Sequence, residues 1–212
     1  MKILNKKIAE KKSSASWIKR QLADPYVLQA KKEGYRSRAV YKLIEIDKKF
    51  NILKNGQTVI DLGAAPGSWS EYISKKFKKS KIFAIDLLDI TPIENVEFYK
   101  GDFTSDNTLL WLEGKLKGNK AELIISDMAP NTIGHQKTDH LRQMTLLEYA
   151  FDFAKDNLKE GGAFLAKSFT GGTTNELLKE IKKLFKSVHH IKPNASRKDS
   201  VEMFILATGF KL

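Results

Sequence analysis

The chain has 212 residues and 42% hydrophobic content, enough for one α/β domain with a substantial core and too little for two. No apolar run approaches membrane-spanning length, and the lysine-rich start carries Glu10 and no apolar segment, so no secretory signal is expected; the absence of cysteine excludes disulfides, thiolate metal sites and a cysteine nucleophile. Of the net charge of +12, +10 falls in residues 1–54, with 15 Lys/Arg against 5 Asp/Glu; that asymmetry points to a polyanion such as nucleic acid, although a solvated tail gives the same count.

In chain order, residues 1–16 suggest a flexible basic arm, and residues 17–54 two basic helices packed on a single domain spanning 1–212. The first helix breaks near Asp24 and Pro25; the second runs from about Arg38 to Phe50 with Val40, Leu43, Ile44 and Ile46 on one side. Thr58, Val59 and Ile60 read as a buried strand closed by Asp61. Gly63, Ala64, Ala65, Pro66 and Gly67 follow as a tight turn with little side-chain bulk, and a helix is expected from Ser70. Strand, small-residue turn and helix N-terminus form a ligand seat. Further strands are predicted at 81–86, 95–99, 121–127 and 161–167, and two more at 188–191 and 201–207 with no helix between them. Alternating strands and helices imply a doubly wound parallel α/β sheet with an antiparallel last pair.

Asp61, Asp86, Asp102 and Asp127 each close one of the first four strands, at the edge where open α/β sheets bind ligands. Asp86 lies 19 residues after Gly67, a spacing suited to ribose hydroxyls, though a cap would look the same. A G-x-G-x-x-G turn is absent, which argues against a nicotinamide dinucleotide dehydrogenase. Acids around a nucleoside suit a cationic cofactor, and S-adenosylmethionine fits. With no cysteine for carbon methylation, and no aromatic after the turn at 127–131, a hydroxyl acceptor remains. Such an acceptor needs a base or a charge-stabilising partner. Lys167, at the end of an apolar strand, is the candidate, with Lys42 as a neighbouring cation and Asp127 and Glu202 as orienting acids; a snorkelling lysine is the alternative. Trp17 and Tyr35 are expected to pack rather than stack on bases, and His135 and His140 to serve a loop rather than a metal.

The motifs SRAVYKL at 37–43, DLGAAPGSW at 61–69, SDMAP at 126–130 and KPNASR at 192–197, with Lys167 and Glu202, resemble those of the FtsJ-type (heat-shock) ribosomal RNA 2′-O-methyltransferases, from about Trp17 onward. The resemblance implies a seven-stranded methyltransferase sheet of order 3-2-1-4-5-7-6 and S-adenosylmethionine-dependent methylation of a uridine ribose in large-subunit ribosomal RNA, on the assembled subunit. It puts a Lys-Asp-Lys-Glu tetrad at Lys42, Asp127, Lys167 and Glu202, with Lys167 as general base. Cofactor positions fall on Gly67, Trp69, Asp86, Asp102 and Asp127. Ser68 departs from the glycine frequent in relatives. A cytoplasmic monomer without metal is expected, with Arg36, Arg38 and the loop 192–198 gripping RNA phosphates. A non-catalytic ribosome-assembly factor on the same fold is the competing expectation.

Overall fold

The computed structural model describes residues 22–130, 133–171, 175–197 and 200–211. The arm expected at 1–16, Trp17 and Lys198 lie outside the described residues. Helices α1 (Pro25–Glu33) and α2 (Val40–Phe50) precede an alternating series: β1 (Thr58–Leu62), α3 (Ser68–Lys76), β2 (Lys81–Asp86), β3 (Val96–Lys100), α4 (Asp106–Leu116), β4 (Ala121–Ser126), α5 (Gln136–Asn157), β5 (Leu158–Phe169), α6 (Asn175–Leu184), β6 (Phe185–Ile191) and β7 (Glu202–Phe210).

The strands form one sheet of order β3-β2-β1-β4-β5-β7-β6. Pairings among β1 to β5 are parallel, and β7 runs antiparallel to both β5 and β6. Successive side chains point to opposite faces, so a strand such as β4 feeds two cores. Leu123 and Ile125 join Val59, Leu165 and Phe204 against Val40, Leu43, Trp69 and Ile73 of α2 and α3. Ile124 joins Ile60, Phe164 and Ile205 against Leu112, Leu147, Phe151 and Ile181 of α4, α5 and α6.

Local chemistry sets the boundaries that position the site. Asp24 caps α1 by accepting from Tyr26 N at 3.0 Å, with Pro25 in the first turn, where its missing N–H costs nothing. This is the break expected near Asp24. Helix α3 begins at Ser68 rather than Ser70, because Gly67 serves as its N-cap at φ +96°, a conformation that L side chains resist. Strand β1 continues to Leu62, so Asp61 lies inside it rather than at its end. Helices α5 and α6 pass straight into β5 and β6 without an intervening turn.

Phe151 is fully buried, with ring centroids 5.9 Å from Phe164 and 6.5 Å from Phe185. Phe151→Ala removes that bridge between helix and sheet and is expected to lower unfolding free energy by about 3–5 kcal/mol in a denaturant titration.

Candidate active site

Sheet register brings the tetrad together. Ser126 pairs with Ala166, which sets Asp127 level with Lys167 on adjacent strands. Lys167 pairs with Phe204 and Phe169 with Glu202, so Lys167 and Glu202 point to one face, two positions apart. That face is covered by α2, which supplies Lys42. Lys167 Nζ lies 2.8 Å from Asp127 Oδ1 and 3.1 Å from Glu202 Oε2. Lys42 Nζ lies 3.1 Å from Asp127 Oδ2 and 2.9 Å from Glu202 Oε1. Lys42 Nζ also reaches Asp127 Oδ1 at 3.3 Å and Glu202 Oε2 at 3.0 Å, so both amines meet both carboxylates in a closed ring of two positive and two negative charges. Lys42 is 9% exposed and Lys167 8%. At that depth single charges are costly and only paired ones persist.

The ring sets the protonation states. Burial alone pushes the Lys167 pKa down; the charges of Asp127 and then Glu202, and hydrogen bonds to both, outweigh it and leave the pKa raised. Of the opposing influences on Lys167, burial against neighbouring acids, the acids prevail in the resting site, where both amines share the same two carboxylates. For Glu202, burial pushes the pKa up, but Lys167, Lys42 and a hydroxyl hydrogen bond from Ser196 overcome it and hold the carboxyl at about 2.

Beside the ring lies a cleft of about 790 Å³, bordered by Gly63, Ala65, Asp86, Asp102 and Asp127 and by apolar Leu87, Leu88, Phe103, Met128 and Leu141. Its volume suits a nucleoside-sized ligand. The described lining carries three carboxylates and one basic side chain, Arg142, so its field favours a cation. Asp127 is the residue shared by cleft and ring. Asp86 accepts from Ala65 N and Leu88 N, both at 2.8 Å, and Asp102 from Thr104 N at 2.9 Å. These bonds fix the carboxylates and leave lone pairs for a ligand. A Cβ on Gly63 would stand 2.1 Å from Met128 Cγ, which explains the small residue there.

Other expected residues take different places. Trp69 is 3% exposed; its indole donates to Ala39 O at 2.8 Å and its ring stands 5.8 Å from Phe204, so its side chain is core. Neither Gly67 nor Trp69 borders the cleft: Gly67 caps α3 and Trp69 lies in its first turn. Asp61 is 2% exposed and accepts from Ser70 Oγ at 2.7 Å. Burial raises its pKa to about 7, the Ser70 bond opposing and the charges of Asp127 and Asp86 adding. Arg36 and Arg38, expected to hold phosphates, are engaged internally. Arg36 donates to Pro66 O, Thr91 O and Pro92 O at 3.1, 2.7 and 3.1 Å, clamping the glycine turn to the segment after β2. Arg38 pairs with Asp24 and donates to Ala195 O. Tyr35 packs edge-on against Tyr41 and Tyr72. His135 caps α5 through Thr138, and His140 faces Phe169. No cluster of three metal-ligating residues occurs among the described residues. Sequence reasoning missed Gln143, which donates to Met128 O and Lys167 O at 3.3 and 3.2 Å and braces the backbone on both sides of the ring.

Sheet order, acid-edged cleft and buried tetrad define a methyltransferase of the seven-stranded, doubly wound class. The FtsJ-like methyltransferase family profile matches residues 35–210, and the chain belongs to that family. Its sequence is 54% identical to a ribosomal RNA large subunit methyltransferase E of Novosphingobium aromaticivorans, over 94% of this chain and 89% of the relative. It is 49% identical to the protein of that name from Rickettsia felis, over 94% and 90%. A crystal structure of a ribosomal RNA methyltransferase from Plasmodium falciparum superposes with a TM-score of 0.76 at 35% identity, over 83% of this chain and 98% of that one.

A carboxyl held below its unfolded value stabilises the fold above that value, and the contribution is lost as pH falls through the folded pKa. For Glu202 the window runs from about pH 4.5 down to about 2. Unfolding free energy should fall across that window in the wild type, and Glu202→Gln should flatten the slope in the same titration.

Proposed function

We propose that this chain methylates the 2′-oxygen of a uridine ribose in large-subunit ribosomal RNA, using S-adenosylmethionine and acting as a cytoplasmic monomer on the assembled subunit. The observation that carries this reading is the buried ring of Lys42, Asp127, Lys167 and Glu202 abutting a cleft whose carboxylates suit a cationic nucleoside. The names and similarity of the relatives support the substrate class.

S-adenosylmethionine supplies an electrophilic methyl carbon on a positive sulfur. Asp86 and Asp102 would accept from the ribose hydroxyls and the adenine amine, the glycine turn and the first α3 amides would receive the remaining polar atoms, and Leu87, Leu88 and Met128 would cover the apolar faces. Methyl transfer to the 2′-oxygen would leave the donor as a neutral thioether, and the hydroxyl proton must go to this chain. Lys167 takes that proton. In the resting ring its own proton is held by Asp127 and Glu202. A cation seated against Asp127 competes for that carboxylate and loosens the hold, so Lys167 is readied as a base only beside a loaded cleft. Lys42 keeps the two carboxylates in place, and alignment of the acceptor with the methyl carbon contributes much of the rate.

With Arg36 and Arg38 engaged, phosphate contacts fall to exposed lysines such as Lys31 and Lys32 of α1 and Lys48 and Lys49 of α2. RNA affinity should fall about tenfold or more between 50 and 200 mM salt; a flat titration would remove the basic face from the account.

Incubation with labelled S-adenosylmethionine and undermethylated large subunits tests the whole reading. Label on a uridine ribose supports it; binding without transfer supports a non-catalytic assembly factor. Lys167→Ala should reduce transfer by about a thousandfold or more, with cofactor affinity by calorimetry changed by less than about threefold. In the wild type, kcat should rise with pH from the neutral into the alkaline range as Lys167 loses its proton.

A further inference from the structure

Glu202 has a partner outside the tetrad. Ser196 Oγ donates to Glu202 Oε1 at 2.8 Å, and the same oxygen faces the Lys42 ammonium at 2.9 Å. Ser196 is 5% exposed and sits in the loop between β6 and β7. That loop is held from α2. Glu45 accepts from Asn194 N at 2.6 Å and from Ala195 N at 2.9 Å. Arg38 donates to Ala195 O, and Ser196 N closes a turn onto Pro193 O at 2.9 Å. Lys42 and Glu45 are three residues apart on α2, so they share a face. One rigid helix thus delivers an amine to Glu202 and also fixes the backbone that delivers a hydroxyl to it.

The carboxylate has somewhere else to go. Glu202, Ser196 and Ser200 line a second cleft of about 230 Å³, together with Ser37, Arg38, Lys42 and Arg197. The charged groups around Glu202 are therefore Lys42 from α2, Lys167 from β5, Asp127 after β4, and, across that cleft, the guanidinium groups of Arg38 and Arg197, both of which pair with Asp24. A glutamate with three rotatable bonds can swing from Lys167 into that cleft, where the two arginines share Asp24 and so keep charge to offer a second carboxylate. A short, buried hydroxyl with its backbone pinned on both sides opposes that motion.

We propose that Ser196 is a positioning residue for the transfer reaction: it holds the Glu202 carboxylate where it meets both tetrad amines, and Glu45 sets the loop at the height this contact requires. The proposal rests on the methyl-transfer reading above. Without the hydroxyl, Glu202 divides its time between Lys167 and the arginine side, and Lys167 loses its alignment. The cofactor cleft, bordered by Asp86 and Asp102 rather than by Ser196, is untouched.

Ser196→Ala should lower kcat about tenfold with cofactor affinity unchanged, and in a Glu202→Gln background the same substitution should cost less than about twofold. A residue that matters only to folding would cost the same in both backgrounds. A second measurement needs no turnover: carboxyl-carbon NMR of Glu202 in the cofactor-free protein, where Ser196→Ala should move the titration up by about half a unit or more as the donor is lost. An unmoved titration overturns the proposal, as does a wild-type kcat or an equal loss in both backgrounds. Should the wild type transfer no methyl group, the proposed function fails, whereas the titration still decides the role of Ser196.

Discussion

Four charges buried at one edge of the sheet set the conditions for everything around them. Neither Lys42 nor Lys167 could remain charged at that depth alone, and neither Asp127 nor Glu202 could face the other without an amine between them. The antiparallel setting of β7 is what makes the ring possible. The ends of β4 and β5 lie at the ligand edge, and a parallel strand would bring its own end there rather than its start. Because β7 is reversed, its first residue, Glu202, arrives beside Lys167. Asp127, one residue beyond β4, is the joint between ring and cleft. Binding a cation there changes how firmly a proton is held two bonds of the network away, which links loading of the cleft to the chemistry.

The two faces of the sheet divide the work. On the α4–α6 side the contacts are those of an apolar core, with Gln143 reaching from α5 to brace the backbone behind the ring. On the α1–α3 side the basic N-terminal helices are part of the active site rather than an appended handle. Helix α2 places Lys42, Glu45 pins the loop after β6, and the residues before α2 clamp the glycine turn and the N-terminus of α1. A short chain of hydrogen bonds therefore joins the surface of these helices to the tetrad.

Much of the fold was legible because its signals are local. A β-branched run marked β1 and short apolar runs β2 and β4, Asp24-Pro25 marked the break at which α1 begins, and the missing helix between the last two strands marked their antiparallel pairing. Strand order was carried by the family resemblance; the four tetrad residues were already candidates at the strand edge, and the resemblance grouped them, since no periodicity brings Lys42 to Glu202 across 160 positions. Boundaries slipped where no turn residue separates elements, as at Asn157–Leu158 and Leu184–Phe185. Charge counting could not show how Arg36 and Arg38 are held, because a count of cations does not reveal partners such as the carbonyls of Thr91, Pro92 and Ala195. Nor can it show that Lys42 and Lys167 share their carboxylates, whose charges outweigh burial and raise the pKa of Lys167. Ser196 carries no sequence signal beyond the KPNASR motif that contains it, and Glu45 lies outside the motifs; their contacts exist only in the folded network.

The measurement that bears most directly on this account is the titration of the Lys167 ammonium by nitrogen NMR, with the cofactor cleft empty and then loaded with S-adenosylmethionine. The ring predicts a pKa above that of an ordinary lysine in the first state and a lower one in the second. A neutral amine at pH 7 without cofactor, or a titration that loading does not move, would contradict it.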